Sequence, residues 1–316
     1  MTSFWHNMVN SLPYVRNLRK QLSEQGAFPP GHFYSPTPNA EEVRYYVNSL
    51  SKQAPEPDLP DIALNTEKQF QLLKKFSTFY YPEIPFPEKE TEGFRYYFDQ
   101  PWFGYADAIY LYSFLRSQRP KRIIEVGSGF SSAVMLDTVD RFPFSTEFTF
   151  IDPFPERLQK LLKPSDRERA HLFDRKVQDV PFELFLTLEP GDLLFIDSSH
   201  VLKAGSDLQY LMFRVLPHLP VGVFVHFHDI FFPFEYPQEW LLEGRYWNEN
   251  YMLRAFLSGN PQWEIFLFND YVKNACRAYI EQRMPLCMKN TGGSLYLRRV
   301  AASDGPHRDI YTSGTG

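Results

Sequence analysis

The pattern of apolar and polar positions changes character at about residue 100. Upstream, two stretches carry apolar residues at helical spacing. In residues 41–52, Val43, Tyr46, Val47 and Leu50 fall on one face. Asn39 stands where an N-cap belongs and Glu42 follows three residues later, which is the pattern of a capping box. Residues 66–80 make the second helical stretch, and proline-rich runs at 29–38 and 82–87 flank the pair. The reading is a helical extension or lid over residues 1–100. Downstream the elements alternate. Helices are expected at 105–116, 131–140, 156–162 and 206–215. Apolar strands are expected at 122–126, 148–151, around Lys176, at 193–196 and at 221–225, with later strands at 263–268 and 294–298. Such alternation predicts an α/β fold, a doubly wound, mostly parallel, Rossmann-like sheet over residues 101–300. Residues 301–316 read as a flexible tail.

Glu125, Asp152, Asp197 and Asp229 fall at or just after the ends of four of the predicted strands. Ligands of open α/β sheets bind at the carboxyl ends of strands. Acids on four separate strands therefore point to one site rather than to four solvated loops. Gly127 and Gly129 permit a tight turn after the first strand and close approach of a ligand to the backbone. The third glycine of a dinucleotide fingerprint is replaced by Ser132, and no phosphate-loop lysine is present. The turn thus need not hold a pyrophosphate and suits an adenosine bearing an amino-acid tail. Asp152, at the end of the second strand, can accept hydrogen bonds from both ribose hydroxyls, with a helix cap or turn role as the alternative. Asp179 can accept from an adenine amino group, or simply cap a turn.

Composition narrows the partners. The formal net charge of -5 and the lack of a long basic run argue against a polyanion, so a nucleic-acid substrate is not expected. Aromatic residues make up 17% of the 316, enough to line a pocket as well as a core. The two cysteines, Cys276 and Cys287, form no disulfide framework or metal pair, which suits a reduced, cytoplasmic chain. Neither a signal-type apolar run nor a stretch approaching the ~20 apolar residues of a membrane helix is seen. The expected partner is a small-molecule or sugar substrate, with a homo-oligomer allowed.

Residues 122–132, then Phe150-Ile151-Asp152-Pro153, then residues 191–200, resemble the class I S-adenosylmethionine-dependent methyltransferases. The resemblance is nearest the bacterial branch that includes sugar O-methyltransferases, and it spans about residues 105–298. It implies S-adenosyl-L-methionine as cofactor. Glu125 would hold the methionine amino group, directly or through water. Gly127, Ser128 and Gly129 would lie against the cofactor, Asp152 would bind its ribose and Asp179 its adenine. Apart from the resemblance, Tyr105 and Asp107 open the preceding helix, either reaching the cofactor's tail or simply forming an ordinary first helical turn.

The most chemical segment is Phe195-Ile196-Asp197-Ser198-Ser199-His200, followed one strand later by His226-Phe227-His228-Asp229. Methyl transfer to a hydroxyl requires loss of the hydroxyl proton and alignment with the methyl group. A histidine titrating near neutrality is a suitable base. A divalent metal would help by lowering the hydroxyl pKa. The resemblance makes Asp197 a metal ligand and His200 the general base, in an Asp-x-x-His arrangement used with Mg²⁺. The acidic pair of that branch is replaced here by His228-Asp229. Asp197, His228 and Asp229 are then the candidate metal set, with Mg, Mn, Fe, Zn or no metal at all open. His226 reads as a buried structural histidine. The aromatic loop 231–237 and the segment 31–36 supply candidate substrate contacts, Phe234, Tyr236 and Tyr34. Alternatives to O-methylation are a metal-dependent oxygenase on the same fold and a non-catalytic binding protein.

Overall fold

A computed structural model describes residues 26–50, 52 and 59–301, together with helical positions 13, 15 and 17. The expected tail at 302–316 lies outside the described residues. Two helices precede the sheet: α1 (Ala40–Leu50) and α2 (Thr66–Phe79). The sheet unit then runs α3 (Tyr105–Gln118), β1 (Arg122–Val126), α4 (Phe130–Arg141), β2 (Glu147–Ile151), α5 (Glu156–Leu161), β3 (Ala170–Phe173), β4 (Leu193–Ile196), α6 (Asp207–Tyr210) and β5 (Phe224–His228). It closes with α7 (Gln238–Leu242), α8 (Glu249–Leu257), β6 (Trp263–Phe268), α9 (Asn269–Ala275), α10 (Arg277–Arg283) and β7 (Ser294–Arg299).

The seven strands lie in the order β3-β2-β1-β4-β5-β7-β6. The first five pair parallel, and β7 enters antiparallel between β5 and β6. Strand order reverses beside β1, which pairs with β2 on one side and β4 on the other. The crevice beyond the carboxyl ends of β1 and β4 is the place where such sheets bind ligands. β4 reads Leu-Leu-Phe-Ile and is buried throughout, as a parallel strand covered on both faces must be.

Some boundaries move. The third strand is Ala170–Phe173, and Lys176 instead precedes a short 3-10 turn over Val177–Asp179. The fifth strand begins three residues later than expected, because Gly222 takes a positive φ of 96° and turns the chain before Phe224. The strand consequently carries both histidines, and all five of its residues are buried. The helix expected at 206–215 is α6 followed by a π turn over Leu211–Val215.

The extension is shorter than expected. The chain divides into two compact units, one of Met1–Pro55 with Tyr236–Tyr246, the other of Glu56–Glu235 with Trp247–Gly316. In the first unit α1 packs on α7. Its capping box forms as read: Glu42 N donates to Asn39 Oδ1 and Asn39 N to Glu42 Oε2, both at 2.9 Å. Residues 56–100 belong instead to the sheet unit, where long-range bonds hold them. Gln69 Oε1 accepts from Phe268 N at 2.8 Å, and Thr66 Oγ1 lies 2.6 Å from the Tyr271 hydroxyl. Arg95, its side chain 1% exposed, pairs with Asp137 at 2.7 Å, Asp140 at 2.6 Å and Asp166 at 2.6 Å.

Candidate active site

Gly127 shapes the crevice. Its φ is 81°, and a Cβ placed there would stand 1.7 Å from the Asp197 carbonyl oxygen. Only glycine lets the turn pass this close to the end of β4. Gly129 is different: its φ of 176° is extended backbone, and a Cβ would meet only the Arg157 side chain, at 3.0 Å. Ser128 N donates to Asp152 Oδ2 at 3.0 Å, and Phe154 N donates to Asp152 Oδ1 at 2.8 Å. Asp152 thus ties the turn to the end of β2 and keeps a free lone pair on each oxygen.

A cavity of about 460 Å³ opens beside the turn, lined among others by Gly127, Asp152, Lys176, Gln178, Asp197 and Ser198. Two buried polar atoms of its lining residues, Gln178 Oε1 and Ser198 Oγ, have no hydrogen-bond partner. Buried polar atoms are costly to leave unpaired, so donors and acceptors of a ligand are expected there. These groups suit an adenosyl cofactor with ribose hydroxyls and an adenine amino group.

Two of the expected cofactor residues lie away from this lining. Asp179 is exposed and outside the lining of this cavity, because the 3-10 turn buries Val177 and leaves Gln178, one residue earlier, lining it. Glu125 is fully buried below the turn, where Ser131 Oγ donates to it at 2.5 Å and Ser132 Oγ also donates. Burial pushes its carboxyl up to about 8, against the pull of those serines. Glu125 therefore braces the first turn of α4 from beneath. Tyr105 stacks on Phe98 at 4.5 Å and bonds Glu88, while Asp107 is buried and accepts from Asn269 at 3.0 Å and Ser294 at 2.5 Å.

Beyond β4 and β5 the acids and histidines converge. His200 Nε2 stands 3.5 Å from Asp197 Oδ1 and 3.7 Å from Asp229 Oδ2, and His228 Nε2 stands 3.6 Å from Asp229 Oδ1. His200 and Asp229 have φ of 58° and 57°, a left-handed backbone unusual outside glycine and often found at functional sites. The third acid, Glu249, was not legible in the sequence. It is 1% exposed, and its Oε2 lies 2.8 Å from His200 Nδ1. Burial alone would lower the His200 pKa, but hydrogen bonds to Asp197 and Glu249 outweigh it and raise it well above the ordinary value. His228 is raised too, burial being outweighed by Asp229, Asp197 and Asp107. For Asp197, burial is outweighed by His228, His200 and Arg157, which hold its carboxyl below the ordinary value. The Trp247 ring packs 4.5 Å from His200, and the Phe103 ring 5.1 Å from His228.

His226 is fully buried, stacked 3.8 Å over Phe195, and lies outside this cluster. Among the described residues no three His, Cys, Asp or Glu side chains are arranged to hold a metal ion. The substrate candidates scatter: Tyr34 is 65% exposed in the smaller unit, Tyr236 is buried in that same unit, and Phe234 is buried against Phe268 at 5.3 Å. No helix among the described residues is long and apolar enough to cross a membrane.

The chain is similar to several known proteins. A family model described as a methyltransferase domain matches residues 124–230, from β1 to just beyond β5. An uncharacterised protein of Archaeoglobus fulgidus is 35% identical over 195 residues, 60% of this chain and 87% of that protein. Among solved structures, the SAH-bound methyltransferase PaMTH1 of Podospora anserina has a TM-score of 0.39 at 14% identity, covering 87% of this chain and all of that one. The O-methyltransferase TomG of Streptomyces achromogenes, solved with SAM, has a TM-score of 0.37 at 14% identity, over 82% of this chain and 96% of that one. Scores this low bear on no point of chemistry. The matched domain covers the glycine turn and the carboxyl ends of β4 and β5, and the chain carries a methyltransferase domain of the S-adenosylmethionine-dependent class.

Proposed function

We propose that the enzyme methylates a hydroxyl group of a small molecule or a sugar precursor, with His200 as the general base. The observation that carries the reading is the His200 ring itself. Its Nδ1 is taken by Glu249 at 2.8 Å, while Nε2 faces Asp197 and Asp229 at the carboxyl ends of β4 and β5. Asp197 also borders the cofactor cavity, so a hydroxyl bound at Nε2 lies near the donor. In the resting site the carboxylates keep a proton on His200. The neutral, accepting form is reached as pH rises, so the rate should climb on the alkaline side of the ordinary histidine range. Gly127, Ser128, Gly129 and Asp152 hold the cofactor in this reading. Gln178 takes the place first given to Asp179 as acceptor for the adenine amino group, and Glu125 acts from beneath the turn.

The test is turnover of S-adenosylmethionine against a panel of sugars, phenols and other hydroxylated acceptors, with wild type and His200→Ala. The variant should lose at least about 100-fold in rate, the lower end of what a general base supplies, while binding S-adenosylhomocysteine as wild type does. Full activity in His200→Ala removes the assignment. A second reading, metal assistance, is favoured by charge. Asp107, Asp197, Asp229 and Glu249 surround His200 and His228, with Arg157 acting on Asp197. Asp197, His228 and Asp229, which form no three-ligand site in this structure, would have to draw together to hold an ion, which when bound would lower the hydroxyl pKa. Turnover unchanged by a chelator removes this reading.

A further inference from the structure

We infer that four consecutive residues, Trp247-Asn248-Glu249-Asn250, form the clasp that positions both catalytic loops, with Glu249 the positioning residue for His200. The inference rests on the reading of His200 as base. The segment meets each loop separately. Toward the loop after β4, the amides of Asn248 and Glu249 both donate to the His200 carbonyl, at 3.2 and 3.3 Å. The Asn248 side chain accepts from Leu202 N at 2.6 Å and donates to Leu202 O at 3.2 Å. Trp247 covers the His200 ring and Glu249 takes its Nδ1. Toward the loop after β5, Asn250 accepts from Phe231 N at 2.9 Å and donates to Asp229 O at 3.1 Å.

These bonds account for the local backbone. His200 and Asp229 hold left-handed conformations that surrounding structure must enforce, and the clasp bonds the carbonyl of each. They also fix ring chemistry. Burial raises the Glu249 carboxyl and the hydrogen bond to His200 opposes that rise; in its ionised form Glu249 only accepts, so Nδ1 then carries the hydrogen toward it. In the neutral ring that leaves the Nε2 lone pair facing Asp197 and Asp229, where a hydroxyl proton is taken. Without Glu249 the ring could flip or change tautomer with no change in the rest of the site.

Two measurements on the full chain test the clasp. With histidine labelled by ¹⁵N, wild type should show an exchange-protected, downfield Nδ1–H resonance that His200→Ala assigns by its loss. Glu249→Ala should lose it, and Glu249→Gln, which keeps the shape and an acceptor, should retain a weakened one. With any acceptor that wild type methylates, Glu249→Gln should lower kcat roughly tenfold or more, a fraction of the about 10²–10⁴ a general base supplies, with S-adenosylhomocysteine affinity unchanged. The inference is overturned if the resonance persists in Glu249→Ala, or if Glu249→Gln turns over like wild type while His200→Ala is inactive. Wild-type turnover by His200→Ala would instead remove the base assignment, with the resonance still reporting whether Glu249 holds the ring.

Discussion

Gly127→Ala is the sharpest perturbation of the cofactor turn. An alanine at a φ of 81° is left-handed, which costs about 1–2 kcal/mol. Its Cβ would lie 1.7 Å from the Asp197 carbonyl oxygen and 2.7 Å from the carbonyl carbon. Both are backbone atoms and have no rotamer to change. Relief requires the ends of β1 and β4 to part until that 1.7 Å approaches the 3.4 Å of ordinary contact. The bond from Asp197 N to Val126 O, 2.8 Å long, spans that gap, and its loss costs about 1 kcal/mol more. The sum is roughly 2–3 kcal/mol, together with a displaced cavity wall. Gly129→Ala is the control in the same turn. Its backbone is extended and its Cβ would meet a flexible arginine, so its stability should stay within about 0.5 kcal/mol of wild type. Urea unfolding gives the stabilities, and calorimetry with S-adenosylhomocysteine gives the affinities. Equal effects of the two substitutions, or wild-type cofactor binding by Gly127→Ala, would refute the reasoning.

Three further outcomes follow from named groups. Glu125 has a carboxyl raised from 4.5 to about 8 by burial, so the folded state holds its proton more tightly than the unfolded chain; stability is full below pH 4.5 and falls as pH rises through 8. At about 1.36 kcal/mol per unit the loss is at most about 5 kcal/mol; Glu125→Gln should flatten this slope in urea melts at several pH values, and an unchanged slope would count against it. Arg95→Met leaves Asp137 and Asp166, whose side chains are at most 1% exposed, without their central cation, and should cost about 3–5 kcal/mol. An unchanged melting temperature would show that the cluster is balanced elsewhere. Asp152→Ala should weaken cofactor binding by roughly 10–100-fold through loss of charge-assisted bonds, whereas Asp179→Ala, at an exposed position, should leave it within about twofold. The reverse ranking, read by calorimetry, would restore Asp179 as the adenine contact.

The fold was most legible where burial is uniform. β1, β4 and β6 span the residues expected of them, β4 because a wholly buried strand covered on both faces leaves no room for polar residues. It was least legible where polar residues are buried. β5 was expected to stop before His226, since histidines read as loop chemistry, yet His226 and His228 are 0% and 4% exposed inside the strand. β3 has an exposed histidine among four residues and no fully buried position, so its run carries little periodic signal. The boundary at residue 100 failed for a related reason. Proline and aromatic content between 56 and 100 looks like an appendage, but Arg95 and Gln69 anchor that stretch through bonds spanning 42 and 199 residues.

The site divides along the same line. Asp152, Asp197 and Asp229 were readable because each acid sits at the end of its own strand, and sheet topology alone brings strand ends together. Which way a side chain faces is set by neighbours that no local spacing encodes. Asp179 and Gln178 are adjacent, and a single 3-10 turn decides which of them lines the cavity. Glu249 lies 49 residues beyond His200 and on no strand, so nothing near either residue links them. Yet this distant acid decides which ring nitrogen of His200 is free. Strand ends therefore specify which chemical groups are present, and the helix start at Glu249 specifies what one of them can do.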